Sequence, residues 1–150
     1  MLDEDAAPER LRGLPSRQLA QLAAHADRIV GERLAALDAR KWHYAVLTAL
    51  RERGPASQAA LSRSTGIYTS DLVAVLNELA ERELVERVPD PADRRRNVIT
   101  LTALGRRRLR QLDRAVDASQ DALLGPLSPA ERDQLSALLT RLLEHARTQQ

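Results

Sequence analysis

Residues 89–97, PDPADRRRN, hold the densest group of side chains in this chain that are able to bind a charged partner. Arginine suits phosphates and nucleic-acid grooves, because its planar fork makes paired hydrogen bonds and sheds water readily. The prolines restrict the backbone, and Asp90 or Asp93 can bond nearby amides. This stretch therefore predicts a polyanion-binding site at Arg94, Arg95 and Arg96. The alternative is an arginine run in a solvated loop.

Two apolar, β-branched runs flank this stretch, LVERV before it and VITLT after it. They predict a two-stranded hairpin. Because hairpins normally close in about two to five residues, this long and proline-stiffened connection is unusual. We interpret it as a finger that reaches beyond the protein surface, where arginine can meet the negative potential of a narrow minor groove.

The segment before the hairpin predicts two short helices joined by a tight turn. Ser57 can cap the first helix, and Gly66 can end it in the left-handed conformation. Thr69 or Ser70 can cap the second, which runs to about Arg82 with an apolar face. This order is typical of a helix-turn-helix, and with the hairpin it becomes a winged helix-turn-helix.

Longer amphipathic helices are predicted on both sides of this unit. We divide the chain into a flexible tail at 1–15, a dimerisation helix at 16–38, the winged helix-turn-helix at 39–105 and C-terminal dimerisation helices at 106–150. Thr102 caps the first C-terminal helix, and Ser128 with Glu131 forms a capping box for the last. The leucine and alanine stripes exceed the needs of a lone winged domain of about ninety residues, which predicts a twofold dimer. The fold class is mainly α with one small β-hairpin.

Composition excludes several function classes. The chain has no cysteine, so it has no disulfide, thiolate metal site or thiol sensor, and its three histidines are too scattered to nominate a metal site. No catalytic triad or glycine-rich phosphate loop is visible, so we expect neither an enzyme nor a bound cofactor. The sequence shows no membrane span or signal peptide, which predicts a soluble cytoplasmic protein.

The stretch ELVERVPDPADRRRNVITLTALG resembles the MarR (multiple-antibiotic-resistance regulator) family of bacterial transcription factors. It is similar to that family's Leu-Val-x-Arg strand, Asp-x-Arg wing and Leu-Thr-x-x-Gly exit into a helix. The matching positions in this chain are Asp93, Arg95, Leu101, Thr102 and Gly105.

The resemblance implies double-stranded DNA as partner, a homodimer, and a small aromatic or phenolic effector bound between the dimerisation helices and the DNA-binding lobe. We expect Arg95 to enter the minor groove, Arg94 or Arg96 to contact phosphate, and Asp93 to brace the wing. The candidate base- or backbone-contacting residues of the recognition helix are Thr69, Ser70, Ala74 and Asn77.

Candidate effector residues are His25, Trp42 and His43. Trp42, His43 and Tyr44 are neighbours at the start of one helix, where they could line a pocket in a protein of this kind. The alternative is that Trp42 and Tyr44 only pack one helix against another and that the histidines are exposed.

Two residues depart from the family's pattern. Glu83 stands where the family usually has a glycine before the Leu-Val strand, so the recognition helix must end without that cap. Asp71 stands on the recognition helix where polar or basic residues are common. We favour helix capping or pairing with a wing arginine over base reading for Asp71.

Together these features predict a homodimeric, ligand-responsive, sequence-specific DNA-binding regulator, a repressor on a pseudo-palindromic operator. The alternative is a winged-helix module that binds protein and never DNA, for which the acidic residues Asp71, Glu78, Glu81 and Glu83 argue.

Overall fold

The fold is mainly helical with one two-stranded antiparallel hairpin, as the sequence predicted. A computed structural model describes residues 6–150. Its elements in chain order are α1 (Glu9–Arg12), α2 (Pro15–Ala35), α3 (Lys41–Arg53), α4 (Gln58–Thr65), α5 (Thr69–Glu81), β1 (Val85–Pro89), β2 (Asn97–Leu101), α6 (Ala103–Leu123) and α7 (Pro129–Thr148). None of the helices in this described part is long and apolar enough to cross a membrane.

Helices α4 and α5 form the helix-turn-helix. The Ser57 hydroxyl accepts a hydrogen bond from the Ala60 amide at 3.1 Å and so caps α4. Gly66 ends α4 in the left-handed conformation with φ 73°, which a side chain would disfavour. Both features were predicted from the sequence.

The core of the winged unit is aliphatic. Helix α5 contributes Leu72, Val75, Leu76 and Leu79, each at most 1 % exposed, on one side of the helix. Buried residues of α3, α4, β2 and α6 belong to the same core: Val46, Leu47, Leu50, Leu61, Ile99, Leu109 and Leu112. A single core therefore orients α5 relative to the hairpin.

The hairpin pairs Val85 with Leu101 at its base and Pro89 with Asn97 at its tip end. Ile99 of β2 also exchanges two backbone hydrogen bonds with Ala56, at 3.1 and 2.8 Å, in the connection between α3 and α4. These bonds attach the hairpin to the helix-turn-helix.

Helix α6 starts directly from the hairpin. Thr102 caps it as predicted, because its hydroxyl accepts from the Gly105 amide at 2.9 Å and donates to the Glu83 carbonyl at 2.7 Å. Gly105 is buried where the first turn of α6 crosses the Leu84 backbone. Glycine is required at this crossing because a Cβ would lie 2.1 Å from the Leu84 carbonyl oxygen.

Glu83 takes the conformation that the family's usual glycine would favour. Helix α5 ends at Glu81, and Glu83 then adopts a left-handed φ of 61°. A left-handed φ is uncommon for residues other than glycine. The chain therefore makes a left-handed turn here without a glycine.

The N- and C-terminal helices lie outside this core to different degrees. The sequence predicted a flexible tail over 1–15, but Glu9–Arg12 forms one helical turn and α2 begins at Pro15, so that boundary needs correction within the described residues. Residues 1–5 lie outside them. Helix α2 packs along α6. Helix α7 begins at the predicted capping box and has no buried residue.

Candidate DNA-binding surface

Helix α5 exposes the side opposite its buried leucines. Apart from Glu81 in the last turn, the exposed positions are Thr69, Ser70, Val73, Ala74 and Asn77. They recur at the helical spacing, because residues three and four apart share one face. Four of the five were predicted as recognition-helix candidates. Val73, 42 % exposed, was missed because an apolar residue was assigned to the core.

The start of α5 differs from its prediction. Tyr68 occupies the N-cap position without a side-chain cap bond, and Thr69 is already helical, so the predicted capping by Thr69 or Ser70 is wrong. Tyr68 is 80 % exposed beside the recognition face and was not among the candidates. Asp71 lies in the first turn, where the helix dipole favours a negative charge. Among the described residues it has neither a cap bond nor a wing-arginine partner.

The wing connection, residues 90–96, is held by its own two aspartates. The Asp90 carboxylate accepts from the Ala92 amide at 2.9 Å, and the Asp93 carboxylate accepts from the Arg95 amide at 3.1 Å. Backbone bonds between Asp90 and Arg96, 2.8 Å, and between Arg96 and Asp93, 3.0 Å, close the loop. These bonds within the loop give it a defined shape.

All three wing arginines are exposed. The Arg95 side chain is 95 % exposed, and its Nε lies 3.7 Å from an Asp93 carboxylate oxygen. The Arg96 Nε lies 3.8 Å from the other oxygen of the same carboxylate. Asp93 thus bonds the loop backbone and lies beside two arginines, which is the arrangement that a bracing role requires.

One hydrogen bond joins the recognition helix to the wing. The Arg87 guanidinium on β1 donates to the Asn77 side-chain oxygen on α5 at 2.7 Å. Arg87 was not among the site residues that the sequence predicted. Sequence alone offered no signal for this pair, since the two residues belong to different elements.

His43 lies beneath the recognition helix. It is 2 % exposed, so the alternative in which the histidines are exposed is wrong for this residue. Its Nε2 lies 2.6 Å from a Glu78 carboxylate oxygen, and its Nδ1 accepts from the Arg40 amide at 3.0 Å. A ring nitrogen that accepts from an amide carries no proton, so Nε2 holds the proton that His43 donates to Glu78. The neutral imidazole therefore connects the start of α3 to α5.

Electrostatics support the neutral form of His43. Desolvation by burial lowers the pKa of His43 from its ordinary value, and this outweighs the raising effect of the Glu78 hydrogen bond. The pKa of Glu78 is lowered, first by its hydrogen bond from Arg40, 2.5 Å, and then by His43. Glu78 faces these partners, so it adds little to an outward acidic patch.

The three candidate effector residues lie in different environments. Trp42 is 44 % exposed at the start of α3, whereas His43 is buried with both ring nitrogens bonded. His25 is exposed on α2 and lies 2.7 Å from the Arg28 guanidinium. No hydrogen bond joins these three in the described part of the chain. No group of three or more metal-ligating side chains occurs there either.

Asp113 connects the winged unit to α6. Its carboxylate accepts from the Tyr44 hydroxyl at 2.8 Å and from both terminal nitrogens of Arg51. The Arg51 hydrogen bond is the main cause that lowers the pKa of Asp113, while burial is the main cause that raises the pKa of Tyr44. These bonds therefore couple the position of α6 to the Tyr44 and Arg51 side chains of α3.

These features define a winged helix-turn-helix protein with an exposed recognition helix and an arginine-tipped wing. The profile of the MarR family matches residues 37–96. The chain is 31% identical over 106 residues to the transcriptional regulator HosA of Escherichia coli O111:H-, an alignment that covers 71% of this chain and 78% of HosA. The chain therefore belongs to the MarR family of transcriptional regulators.

Other similar proteins also bind DNA or repress transcription. The HTH-type transcriptional repressor NicR of Pseudomonas putida is 32% identical over 101 residues, which is 67% of this chain but only 64% of NicR, so the match spans less than two thirds of that protein. Among solved structures, Bordetella bronchiseptica BpsR superimposes with a TM-score of 0.76 at 26% identity, covering 91% of this chain and 97% of BpsR. DNA binding by BpsR is regulated by 6-hydroxynicotinic acid.

Proposed function

We propose that this protein is a homodimeric, ligand-responsive repressor that binds a pseudo-palindromic DNA operator. The observation that carries the proposal is the surface formed by the outward face of α5 and the arginine-tipped wing, which the Arg87–Asn77 hydrogen bond links. A helix of this kind fits the major groove and presents short side chains to base edges. Arg95 of the wing would then enter the adjacent minor groove, with Arg94 or Arg96 on phosphate.

The division of charge supports this assignment of roles. The outward face of α5 has no basic residue, since Thr69, Ser70, Val73, Ala74 and Asn77 are uncharged and Glu81 is acidic, whereas Arg94, Arg95 and Arg96 cluster on the wing. Phosphate contacts supply sequence-independent affinity, and base-edge contacts supply specificity. The wing therefore provides most of the attraction, and α5 provides most of the base reading.

The terminal helices support a homodimer. Helix α7 has no buried residue, and its leucines 138, 139, 142 and 143 are between 36% and 58% exposed. Leu19 and Leu22 of α2 are exposed to a similar extent, at 44% and 57%. An uncovered apolar stripe of this length is a liability for a monomer. A second copy of the chain would cover it and place two recognition helices about one DNA turn apart.

Regulation by a small aromatic acid is the part of the proposal that rests most on relatives. NicR is named a repressor, and BpsR responds to 6-hydroxynicotinic acid. In this chain Trp42 offers a half-exposed indole at the start of α3, two residues before Tyr44, whose hydroxyl bonds to Asp113 of α6. A ligand that binds one arrangement of α3 and α6 more tightly would shift the spacing of the two recognition helices. The protein would act in the bacterial cytoplasm, where the chromosome lies.

A direct binding measurement tests the proposal. Double-stranded fragments from the intergenic regions beside the protein's own gene are labelled, and fluorescence anisotropy is recorded against protein concentration with unlabelled competitor DNA present. We expect one fragment to bind at least about 10³-fold more tightly than random DNA, the lower end for specific regulators, with two protomers per site and an affinity that falls as salt rises.

The same measurement examines the alternative, a winged-helix module that binds protein. Equal affinity for all fragments, or no binding at low salt, would remove DNA recognition from the account. The exposed acidic residues near α5, Glu81 and Glu83, would then become the first candidates for a protein-binding surface.

A further inference from the structure

The Arg87–Asn77 pair lies where the recognition helix meets the wing. Asn77 is an exposed polar residue of the outward face of α5, one turn before Glu81, and Arg87 is exposed on β1. The guanidinium donates to the Asn77 side-chain oxygen at 2.7 Å. Because both side chains are exposed, the core does not require this pair. The pair instead determines which hydrogen-bonding groups this surface presents to DNA.

Arg87 determines which way the Asn77 amide points. A guanidinium carries only donors, so it can hold an asparagine only through the side-chain oxygen. The oxygen of Asn77 is thus turned toward Arg87, and the amide nitrogen is turned away from it. Without Arg87 the amide is free to present either its donor or its acceptor.

This orientation changes which base suits Asn77. A lone asparagine pairs with adenine through two bonds, accepting from the adenine amine and donating to N7. In this chain the oxygen that would accept already takes one hydrogen bond from Arg87, and the positive charge beside it disfavours a second donor at its other lone pair. The Asn77 amide nitrogen, which is turned away from Arg87, and the remaining guanidinium donors are then the groups best placed to bind a base. Guanine offers two acceptors in the major groove, O6 and N7, and matches these donors.

The other side chains of the outward face supply no positive charge. Thr69, Ser70, Val73 and Ala74 are short side chains without charge. No basic residue belongs to this face, so the Arg87 guanidinium supplies the cation that is hydrogen-bonded to it.

We propose that Arg87 is a positioning residue that turns Asn77 into a hydrogen-bond donor, so that the pair selects guanine over adenine at one base of each half-site. This inference rests on the proposed DNA-binding function. It adds a base preference that the binding of DNA alone does not require.

Selection from randomised double-stranded DNA tests the inference with the whole 150-residue chain. The base read by Asn77 is the position whose preference disappears in Asn77→Ala. At that position we expect the parent to prefer guanine and Arg87→Ala to lower the guanine-to-adenine affinity ratio by about tenfold, the lower range for one good base contact. Arg87→Lys keeps a donor toward the Asn77 oxygen and should retain much of the preference.

Two controls separate positioning from charge and from folding. Arg33→Ala removes one exposed positive charge from α2 and should leave the base preference unchanged. In the Asn77→Ala background, a further Arg87→Ala should change no base preference, because no amide remains to be oriented. Thermal unfolding of each variant confirms that it is folded before selection.

Three results would overturn the inference. The first is a parent that prefers adenine at the Asn77 position. The second is Arg87→Ala weakening all sequences alike with the preference retained, which is the behaviour of a phosphate contact. The third is a parent that enriches no sequence at all. Only this third result also removes the proposed function, so the two failures are distinguishable.

Discussion

Replacing Gly105 with alanine places a methyl group where the hairpin already passes. The added Cβ would lie 2.1 Å from the Leu84 carbonyl oxygen and 2.8 Å from a Leu101 methyl carbon. The first distance is more than an ångström short of an ordinary contact, which begins at 3.4 Å. The Leu84 backbone cannot move alone, because its oxygen accepts from the Thr102 amide at 3.1 Å and its amide donates to Leu79 at 3.0 Å. Helix α6 must therefore move away from the hairpin.

The cost follows from what this movement disturbs. Overpacking costs about 1–3 kcal/mol, and loss of the Thr102 backbone bond adds about 0.5–1.5 kcal/mol. The better helix propensity of alanine offsets about 1 kcal/mol of this cost. A clash this close belongs at the upper end of the range for overpacking. We expect Gly105→Ala to lower the free energy of unfolding by about 2 to 3.5 kcal/mol, a large share of the roughly 5–15 kcal/mol typical of a domain.

Urea unfolding followed by far-ultraviolet circular dichroism measures this change, at one fixed protein concentration because association contributes to stability. Gly31→Ala is the matched control. Gly31 lies inside α2, where an added Cβ meets nothing within 4 Å, so the variant should be more stable by about 0.5–1 kcal/mol. If Gly105→Ala is as stable as the parent, the close crossing of α6 over the hairpin is wrong.

Three further predictions concern pH, assembly and effector binding. Burial lowers the pKa of His43, so as the pH falls the unfolded chain protonates this imidazole before the folded chain does, and stability should decline below about pH 6.5. His43→Gln should flatten that part of the pH profile of the melting temperature. An unchanged profile would contradict a buried, neutral His43. Sedimentation velocity at micromolar concentration should show a dimer that Leu139→Glu with Leu142→Glu on α7 dissociates, whereas a parent that sediments as a stable monomer would refute the dimer. Trp42 fluorescence should respond saturably to phenolic or pyridine carboxylates and respond less in His43→Ala; no response to a broad panel would favour a packing role for Trp42.

Local features of the fold were predictable because their causes are local. The caps at Ser57, Thr102 and Ser128 use a side chain that bonds an amide three residues ahead, and the structure has all three. The apolar periodicity of α5 likewise identified its outward face. Gly105 followed from a motif, but its reason, the crossing at Leu84, required the structure.

Features that depend on how elements pack could not be predicted. His43 and Glu78 are 35 residues apart in sequence, and only the angle between α3 and α5 brings them to 2.6 Å. The Arg87–Asn77 pair depends in the same way on how the hairpin lies against α5. At Tyr68 a residue without a capping side chain occupies the N-cap, because propensity is a weak prior against the packing of the turn.

The central claim is that a braced arginine wing acts with α5 to bind DNA. The affinity of Asp93→Ala for the operator tests this claim most directly. The substitution removes a negative charge from the wing, so electrostatic attraction alone predicts tighter binding. The structure predicts the opposite sign, because the Asp93 carboxylate holds the Arg95 amide at 3.1 Å and lies beside two arginine side chains. We expect specific binding to weaken, toward the loss of about 1–3 kcal/mol that Arg95→Ala should cause as the removal of one groove contact. Binding by Asp93→Ala that equals or exceeds the parent's would show that the wing is only a charged loop.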